Sequence, residues 1–198
     1  MTNLSAQPLS PLDGRYRSAV GTLGEYLSEA GLNRARIHVE VEWLIQLANR
    51  ALLGTANPVL VPEAEQLRKL ATDFSDADVA ELAATEAVTK HDVKAVEYFI
   101  RNALTKLGRE DLHELTHFGC TSEDINNLSY ALTVKDAVNN VWLPKAKAMV
   151  AKLDELAKKY VDAAMLSRTH GQPATPTTMG KELAVFVHRL NRQIARIE

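Results

Sequence analysis

The sequence has little of what marks a secreted or membrane protein. It contains a single cysteine, Cys120, among 198 residues, which excludes an internal disulfide and is typical of a reducing compartment. No apolar run approaches the roughly 20 residues that a membrane-spanning helix needs. The first dozen residues also lack the basic and apolar segments of a signal peptide. We therefore expect a soluble, cytoplasmic protein.

An excess of charge of either sign is also missing. The 23 basic and 25 acidic residues give a net charge of -2, which argues against a nucleic-acid protein held by bulk positive charge. A local anion site stays open, because a few well-placed donors do not change the total. We expect neither a nucleic-acid nor a membrane partner.

Alternating patterns typical of strands are scarce, and apolar residues instead recur every three or four positions along most of the chain. Helix-start signals precede several of these stripes: Pro62 suits a first turn, and Ser75 with Asp78 reads as a capping box. The fold class is therefore expected to be all-α.

The two longest stripes lie in the second half of the chain. One covers residues 125–160, with Pro144 as a kink or restart, and the other covers 183–197 after a short irregular stretch. The second stops at the chain end without a cap, and two amphipathic helices alone leave apolar faces uncovered. We predict an N-terminal helical domain over 1–118 and the start of a central helical bundle over 119–198. We expect a truncated chain, or one whose bundle other chains complete.

Two polar clusters in the first half suit anions. Arg15 stands beside Tyr16 in a turn, where a planar guanidinium fits phosphate or carboxylate and the phenol adds a hydrogen bond. Lys90 and His91 precede Asp92, which we expect to cap the next helix, and the free N–H groups there favour anions. A plain surface turn and a plain capped loop are the alternatives.

A third cluster opens another helix. Thr121 with Asp124 reads as a capping box, so Thr121 and Ser122 stand where hydroxyls and free backbone N–H groups bind carboxylates well. Asn126 and Asn127 follow one turn later and are poor helix formers. Their presence hints at a function.

A fourth cluster lies between the two long stripes, at residues 167–176, and holds His170. This histidine is flanked by Gly171, two prolines and several hydroxyl or amide side chains, which should hold it in place. Histidine is the side chain best suited to moving protons near neutral pH. A connecting loop whose histidine only hydrogen-bonds the backbone is the alternative.

One motif points to zinc. The run from His113 to His117 reads His-Glu-Leu-Thr-His, the pattern of zinc proteases. The stretch is short, follows a Gly-Arg break and has no third ligand at a typical spacing, although His170 is available in principle. We interpret the match as chance and expect no metal.

Together the clusters resemble a known family. Pro-Leu-Asp-Gly-Arg-Tyr, His-Asp-Val-Lys-Ala-Val-Glu-Tyr, His-Phe-Gly-Cys-Thr-Ser-Glu-Asp-Ile-Asn-Asn and Arg-Thr-His-Gly-Gln-Pro-Ala-Thr-Pro occur here in the order and spacing of the bacterial adenylosuccinate lyases. In fumarases and argininosuccinate lyases, which share the superfamily with aspartase, the last loop typically reads Thr-His-Leu-Gln. The Gly171 version favours the adenylosuccinate lyases. The resemblance covers nearly the whole chain.

The resemblance implies a carbon–nitrogen lyase of purine biosynthesis without a cofactor. Such enzymes eliminate fumarate from adenylosuccinate, giving AMP, and from the succinyl-carboxamide ribotide. By resemblance, His170 is the general acid that protonates the departing purine nitrogen, and His117 lines the site. The implied substrate-binding residues are Arg15, Tyr16, Lys90, His91, Asp92, Thr121 and Ser122. Relatives carry asparagine or arginine at the position of Lys90.

Part of that family's pattern is missing. The later loop Gly-Ser-Ser-x-Met-Pro-x-Lys-x-Asn, whose serine serves as the base, does not occur here, and neither do the third bundle helices and the C-terminal domain. The family builds each active site from three subunits of a homotetramer. We expect the N-terminal part of such an enzyme, inactive by itself. Another fumarate-releasing lyase and a non-catalytic helical assembly module are the alternatives.

Overall fold

The structure, a computed structural model, describes residues 9–50, 54 and 57–198. The chain divides into two compact units, Met1–Ala137 and Val138–Glu198. Helices predominate in the part of the chain that the structure describes, and the all-α fold class is confirmed. The division into domains at residue 118 stays a prediction.

The first unit is built around α2, which is buried on most of its circumference. Its helices are α1 (Arg17–Leu27), α2 (Glu29–Asn49), α3 (Val61–Thr72), α4 (Asp76–Thr89), α5 (Asp92–Lys106) and α6 (Ser122–Ala137), with a 3₁₀ helix at Glu110–Leu115. Its core collects the apolar stripes of these helices, including Ile37, Val41, Leu44, Leu67, Val96, Ile100, Leu104 and Leu112. The helix starts expected at Pro62 and Ser75 are both present.

The second unit begins with a π-helical turn at Val138–Trp142, followed by α7 (Leu143–Lys159) and α8 (Met179–Ile197). Pro144 is the second residue of α7 and follows the π-helical turn directly, so the predicted interruption of the long helix lies next to this proline. A Cβ at Gly180 would lie 2.3 Å from the Ala157 carbonyl oxygen. The start of α8 therefore approaches the end of α7 as closely as only glycine allows.

A β-hairpin joins α7 to α8 where we expected an irregular stretch. Strands β1 (Ala164–Thr169) and β2 (Gln172–Thr178) pair antiparallel, with Thr169 opposite Gln172. The expectation of an irregular stretch was wrong. It rested on Pro173 and Pro176, because proline lacks the N–H that pairs neighbouring strands. Proline is tolerated in a two-stranded hairpin, since each strand has one edge without a ladder partner. Most of the hairpin's side chains are exposed.

Several large apolar side chains of α7 and α8 remain exposed. Val150 and Ile194 form the buried contact between these helices, whereas Met149, Phe186 and Ile197 are 52%, 56% and 47% exposed. The two predicted stripes are thus covered only in part within this chain. Among the described residues, no helix combines the length and apolar character needed to cross a membrane.

Candidate active site

Two helix starts meet in the first unit. The His91 ring precedes α5 and its Nε2 lies 3.4 Å from the Oγ of Ser122, the first residue of α6. The free N–H groups and the dipole of a helix N-terminus favour anions. The structure thus brings together two of the clusters that the sequence singled out, at a place suited to a negatively charged group.

His91, not Asp92, caps α5, which corrects our expectation. His91 has an extended backbone, and its Nδ1 accepts the Lys94 N–H at 3.2 Å. Asp92 is the first helical residue, and its carboxylate turns instead toward Arg36. Because Nδ1 of His91 acts as an acceptor, Nε2 carries the proton of the neutral ring and can donate toward Ser122.

Arg36 is a supporting residue that the sequence reading missed. Its guanidinium is almost fully buried and donates to Asp92 Oδ2 at 2.6 Å and to Asn126 Oδ1 at 2.9 Å. A third donor reaches Asn33 at 2.9 Å. Arg36 thus ties α5 and α6 to α2 and sets their spacing at the His91–Ser122 contact. Its signal was a charged residue beside the apolar stripe of α2.

The same arginine explains two polar residues. The pKa of Asp92 lies below its usual range: burial acts to raise it, but the Val93 N–H and the charge of Arg36 outweigh burial. Asn126 accepts a hydrogen bond from Arg36. Asparagine is a poor helix former, but here its side chain stabilises the buried guanidinium, which offsets the lower helix propensity. Asn127 donates to the Glu123 carbonyl instead.

The start of α6 is fixed by its own carboxylate. Asp124 Oδ2 accepts the Thr121 N–H at 2.7 Å and the Thr121 hydroxyl at 3.0 Å. The hydrogen bond from the Thr121 N–H, and to a smaller extent the one from the Thr121 hydroxyl, hold the pKa of Asp124 below its usual range. The predicted Thr121–Asp124 pairing is confirmed. The Thr121 hydroxyl is therefore oriented before any ligand arrives.

The preceding thiol belongs to the packing of the first unit. Cys120 lies against a small apolar cluster of Val39, Val93 and Ile125. Burial raises the pKa of the Cys120 thiol, and the charges of Glu40 and Asp124 raise it further. A neutral, partly buried thiol is a poor nucleophile.

The remaining predicted substrate-binding residues of the first unit are Arg15, Tyr16 and Lys90. Arg15 and Tyr16 lie in the turn before α1, where both are exposed and the guanidinium stands 5.5 Å from the ring centroid. Lys90 ends α4 in the left-handed conformation, with φ of 55°. Together with His117 and His170 it completes the set of non-glycine residues with positive φ in the described ranges.

The two histidines of the zinc-like motif face different partners. The motif lies on a 3₁₀ helix and the turn after it, not on an α-helix. His113 Nε2 lies 3.1 Å from the Thr105 hydroxyl, whereas His117 Nδ1 lies 2.5 Å from the buried Glu40 carboxylate. Within residues 9–50, 54 and 57–198, no group of three or more histidine, cysteine, aspartate or glutamate side chains is placed to hold a metal ion.

His170 lies in the second unit, at the tip of the hairpin. His170 and Gly171 form its two-residue turn, with φ of 49° and 75°. Two consecutive positive φ values are the mark of a type I′ turn, whose twist matches that of the paired strands. The histidine is exposed. The turn holds its backbone firmly while its ring remains accessible.

The model of a protein family described as Lyase matches residues 14–198. The chain belongs to this lyase family. Because the matched residues include both units, the family model covers the His91–Ser122 contact as well as the His170 turn.

Similar proteins with curated names include several adenylosuccinate lyases. The chain is 43% identical over 191 residues to that of Haemophilus influenzae and 44% identical over 193 residues to that of Vibrio cholerae, matching 96% of this chain each time. It is 42% identical over 202 residues to that of Dictyostelium discoideum, where the match covers the whole chain. The chain spans about 42% of the length of these relatives.

Solved structures support the fold of this chain. The 3-carboxy-cis,cis-muconate lactonizing enzyme of Pseudomonas putida superimposes with a TM-score of 0.69 at 21% identity, covering 89% of this chain and 38% of that one. A fumarate lyase of Mesorhizobium sp. BNC1 gives a TM-score of 0.67 at 21% identity, with the same coverage. At this identity the likeness concerns the fold alone.

Proposed function

We propose that this chain is part of an adenylosuccinate lyase, which eliminates fumarate from adenylosuccinate and from the succinyl-carboxamide ribotide of purine biosynthesis. The observation that carries the proposal is the identity of 42–44% to adenylosuccinate lyases over 96–100% of the chain. The meeting of two helix N-termini at His91 and Ser122 supports it, because the substrate is a polyanion.

The proposal gives each polar cluster a task. Charge builds on the succinyl carboxylate and on the leaving nitrogen during elimination, so donors must stand ready at both. The start of α6 at Thr121 and Ser122 suits a carboxylate, which the Ser122 hydroxyl and the free N–H groups of that turn can bind while the Thr121 hydroxyl donates to Asp124. The substrate's other anionic groups would bind Arg15, Tyr16 and the segment Lys90, His91 and Asp92.

His170 is the general acid in this proposal. An amidine-like nitrogen leaves poorly as an anion, so a proton delivered during bond cleavage accelerates the step by about 10²–10⁴. The accessible ring on a rigid turn suits that task. The proposal extends to a homotetramer in the cytoplasm with no cofactor, and it assigns the base to a segment outside this sequence.

The test is His170→Ala in the complete enzyme, assayed by fumarate release from adenylosuccinate. We expect kcat to fall by at least about 100-fold while substrate still binds, because Arg15, Thr121 and Ser122 remain. Cys120→Ala is the control and should change kcat little, since that thiol packs against apolar residues.

Two results would contradict the proposal. If His170→Ala kept near-normal kcat, another residue would have to be the acid, with His91 next in line. If the unsubstituted complete enzyme did not release fumarate from either substrate, the activity itself would be wrong. The 198-residue chain alone should release none, because it lacks the base.

A further inference from the structure

A carboxylate lies fully buried next to the candidate site. Glu40 on α2 is 0% exposed, and its Oε1 lies 2.5 Å from Nδ1 of His117. In the part of the chain that the structure describes, its other oxygen, Oε2, has no hydrogen-bond partner. Burying a carboxylate with one partner costs stability. Such a cost is typical of a functional position.

The charges near Glu40, other than that of His117, do not stabilise its buried carboxylate. Glu97 on α5 is also buried, and it binds Lys94 at 2.7 Å and Arg101 at 2.9 Å. Burial raises the pKa of Glu40 and the nearby charge of Glu97 raises it further, while the hydrogen bond and charge of His117 oppose both. His117 is therefore the one cationic or donor group that Glu40 contacts among the described residues.

The backbone holds His117 in place from both sides. The residue has a left-handed conformation, with φ of 61°, and Gly119 two positions later has φ of 74°. The carbonyl of Phe118, between them, accepts Nε1 of Trp43 at 2.8 Å. Trp43 lies three residues after Glu40, on the same side of α2. The turn is thus fastened to α2 by two bonds, one through the histidine ring itself.

We propose that Glu40 is a positioning residue of the substrate site, which fixes the His117 ring with Nδ1 toward α2 and leaves Nε2 for the substrate. The His117 carbonyl accepts the Cys120 N–H at 3.2 Å, which places His117 in the turn directly before Thr121 and Ser122 at the start of α6. A carboxylate that binds one ring nitrogen selects the tautomer and the orientation of the other. The role of Glu40 in catalysis rests on the proposed lyase function, whereas its effect on the orientation of the His117 ring does not.

The first measurement concerns the ring alone and uses this chain labelled with ¹⁵N-histidine. The His117 signals, assigned through their loss in His117→Gln, should show a single tautomer with the proton on Nδ1. Glu40→Gln keeps the shape of the side chain but removes its charge, and should give a mixture of tautomers or a ring that reorients. Glu97→Gln is the matched control, a second buried carboxylate without contact to His117, and should leave the tautomer unchanged.

The second measurement uses the complete enzyme with the same variants. Glu40→Gln should lower kcat/KM for adenylosuccinate by about 10- to 100-fold, by analogy with the carboxylates that orient metal-binding histidines. Its pH profile should shift as well, whereas a purely structural defect would reduce active protein without moving the profile. Glu40→Asp, which keeps the charge, should restore part of the loss.

The outcomes separate the two proposals. An unchanged His117 tautomer in Glu40→Gln would overturn the positioning role. So would an altered ring together with unchanged kcat/KM and pH profile in an active enzyme. Absence of lyase activity in the unsubstituted enzyme would overturn the proposed function, and the ring measurement would still decide whether Glu40 positions His117.

Discussion

At the scale of single residues, the buried charges on α2 decide how the site is held. Arg36, Glu40 and Trp43 follow one another at spacings of four and three, and each binds a segment that carries a predicted site residue. Helix α2 is therefore a scaffold whose polar contacts to the candidate site lie on one side. Substitutions there should act on the site without touching a ligand.

We expect Arg36→Lys to destabilise the first unit by about 2–3 kcal/mol, because an ammonium cannot satisfy three acceptors in a planar arrangement. Arg68→Lys is the matched control. Arg68 also binds a carboxylate through two nitrogens, Glu42 at 2.5 and 3.0 Å, but at the surface, and should lose less than about 1 kcal/mol. Urea unfolding measures both. Equal losses of unfolding free energy in the two variants would show that the three buried hydrogen bonds of Arg36 add no more stability than a surface ion pair.

The candidate site residues could be identified from the sequence, whereas the buried residues of α2 that hold them in position could not. His91, Thr121, Ser122 and His170 stood out because polar residues at helix starts or between prolines break an apolar pattern. Arg36 and Glu40 did not, since a charged residue beside an apolar stripe usually faces solvent. Only the packing of α5, α6 and the turn at His117 onto α2 buries them.

At the scale of elements, the caps and turns could be predicted and the hairpin could not. Proline at a helix start and a capping box are local signals, and α3, α4 and α7 begin where these signals stand. The hairpin depends on pairing between two segments rich in proline and threonine, without an alternation that faces a core. Its turn at His170 and Gly171 was visible only as a histidine followed by a glycine in a stretch that holds two prolines, which predicted a fixed histidine but not a hairpin turn.

We expect Gly171→Ala to destabilise the hairpin by about 1–2 kcal/mol, because an L-residue in the left-handed region places its Cβ against the carbonyl. The measurement is amide exchange at Thr169 and Gln172, which should become faster. Gly21→Ala is the control with the opposite sign: this helical glycine has open space for a Cβ, and alanine should stabilise α1 by about 0.5–1 kcal/mol. Slower or unchanged exchange in Gly171→Ala would contradict the turn type.

The 3₁₀ helix should respond to acid. Arg109 binds Asp111 and Glu63. Its hydrogen bonds hold the pKa of Asp111 below its usual range, and the Leu60 N–H, then Arg109, lower that of Glu63. Because both pKa values are lower in the folded protein, the stability they contribute is present above the unfolded values and is lost as pH falls through the folded ones.

We therefore expect the free energy of unfolding to fall as the pH drops below about 4.5, and to fall less steeply in Asp111→Asn, which is already weaker at neutral pH. Urea titrations at several pH values measure the slope. Asp162→Asn, at an exposed aspartate in the second unit, is the control and should keep the slope of the unsubstituted chain. An Asp111→Asn slope equal to that control would refute the role of the Arg109 cluster.

At the scale of the whole molecule, the uncovered stripes of α7 and α8 predict self-association. Large exposed apolar patches are rare on monomers, and Met149, Phe186 and Ile197 remain exposed here. We expect the chain to sediment as a dimer or a larger species. Phe186→Asn should shift it toward smaller species, whereas His188→Asn, two residues away on the other side of α8, should not. A monomer at every concentration would contradict the prediction.

The left-handed residues have a consequence for attempts to improve the protein. Lys90, His117 and His170 hold a backbone conformation that costs about 1 kcal/mol or more for any side chain other than glycine. A laboratory selection for heat resistance alone should accept glycine or asparagine at Lys90 and His170, but it should keep His117, because that ring is the partner of the buried Glu40 carboxylate. A selection for turnover should restore the original side chains. The opposition between heat resistance and turnover is thus located at Lys90 and His170, where the two selections would favour different residues.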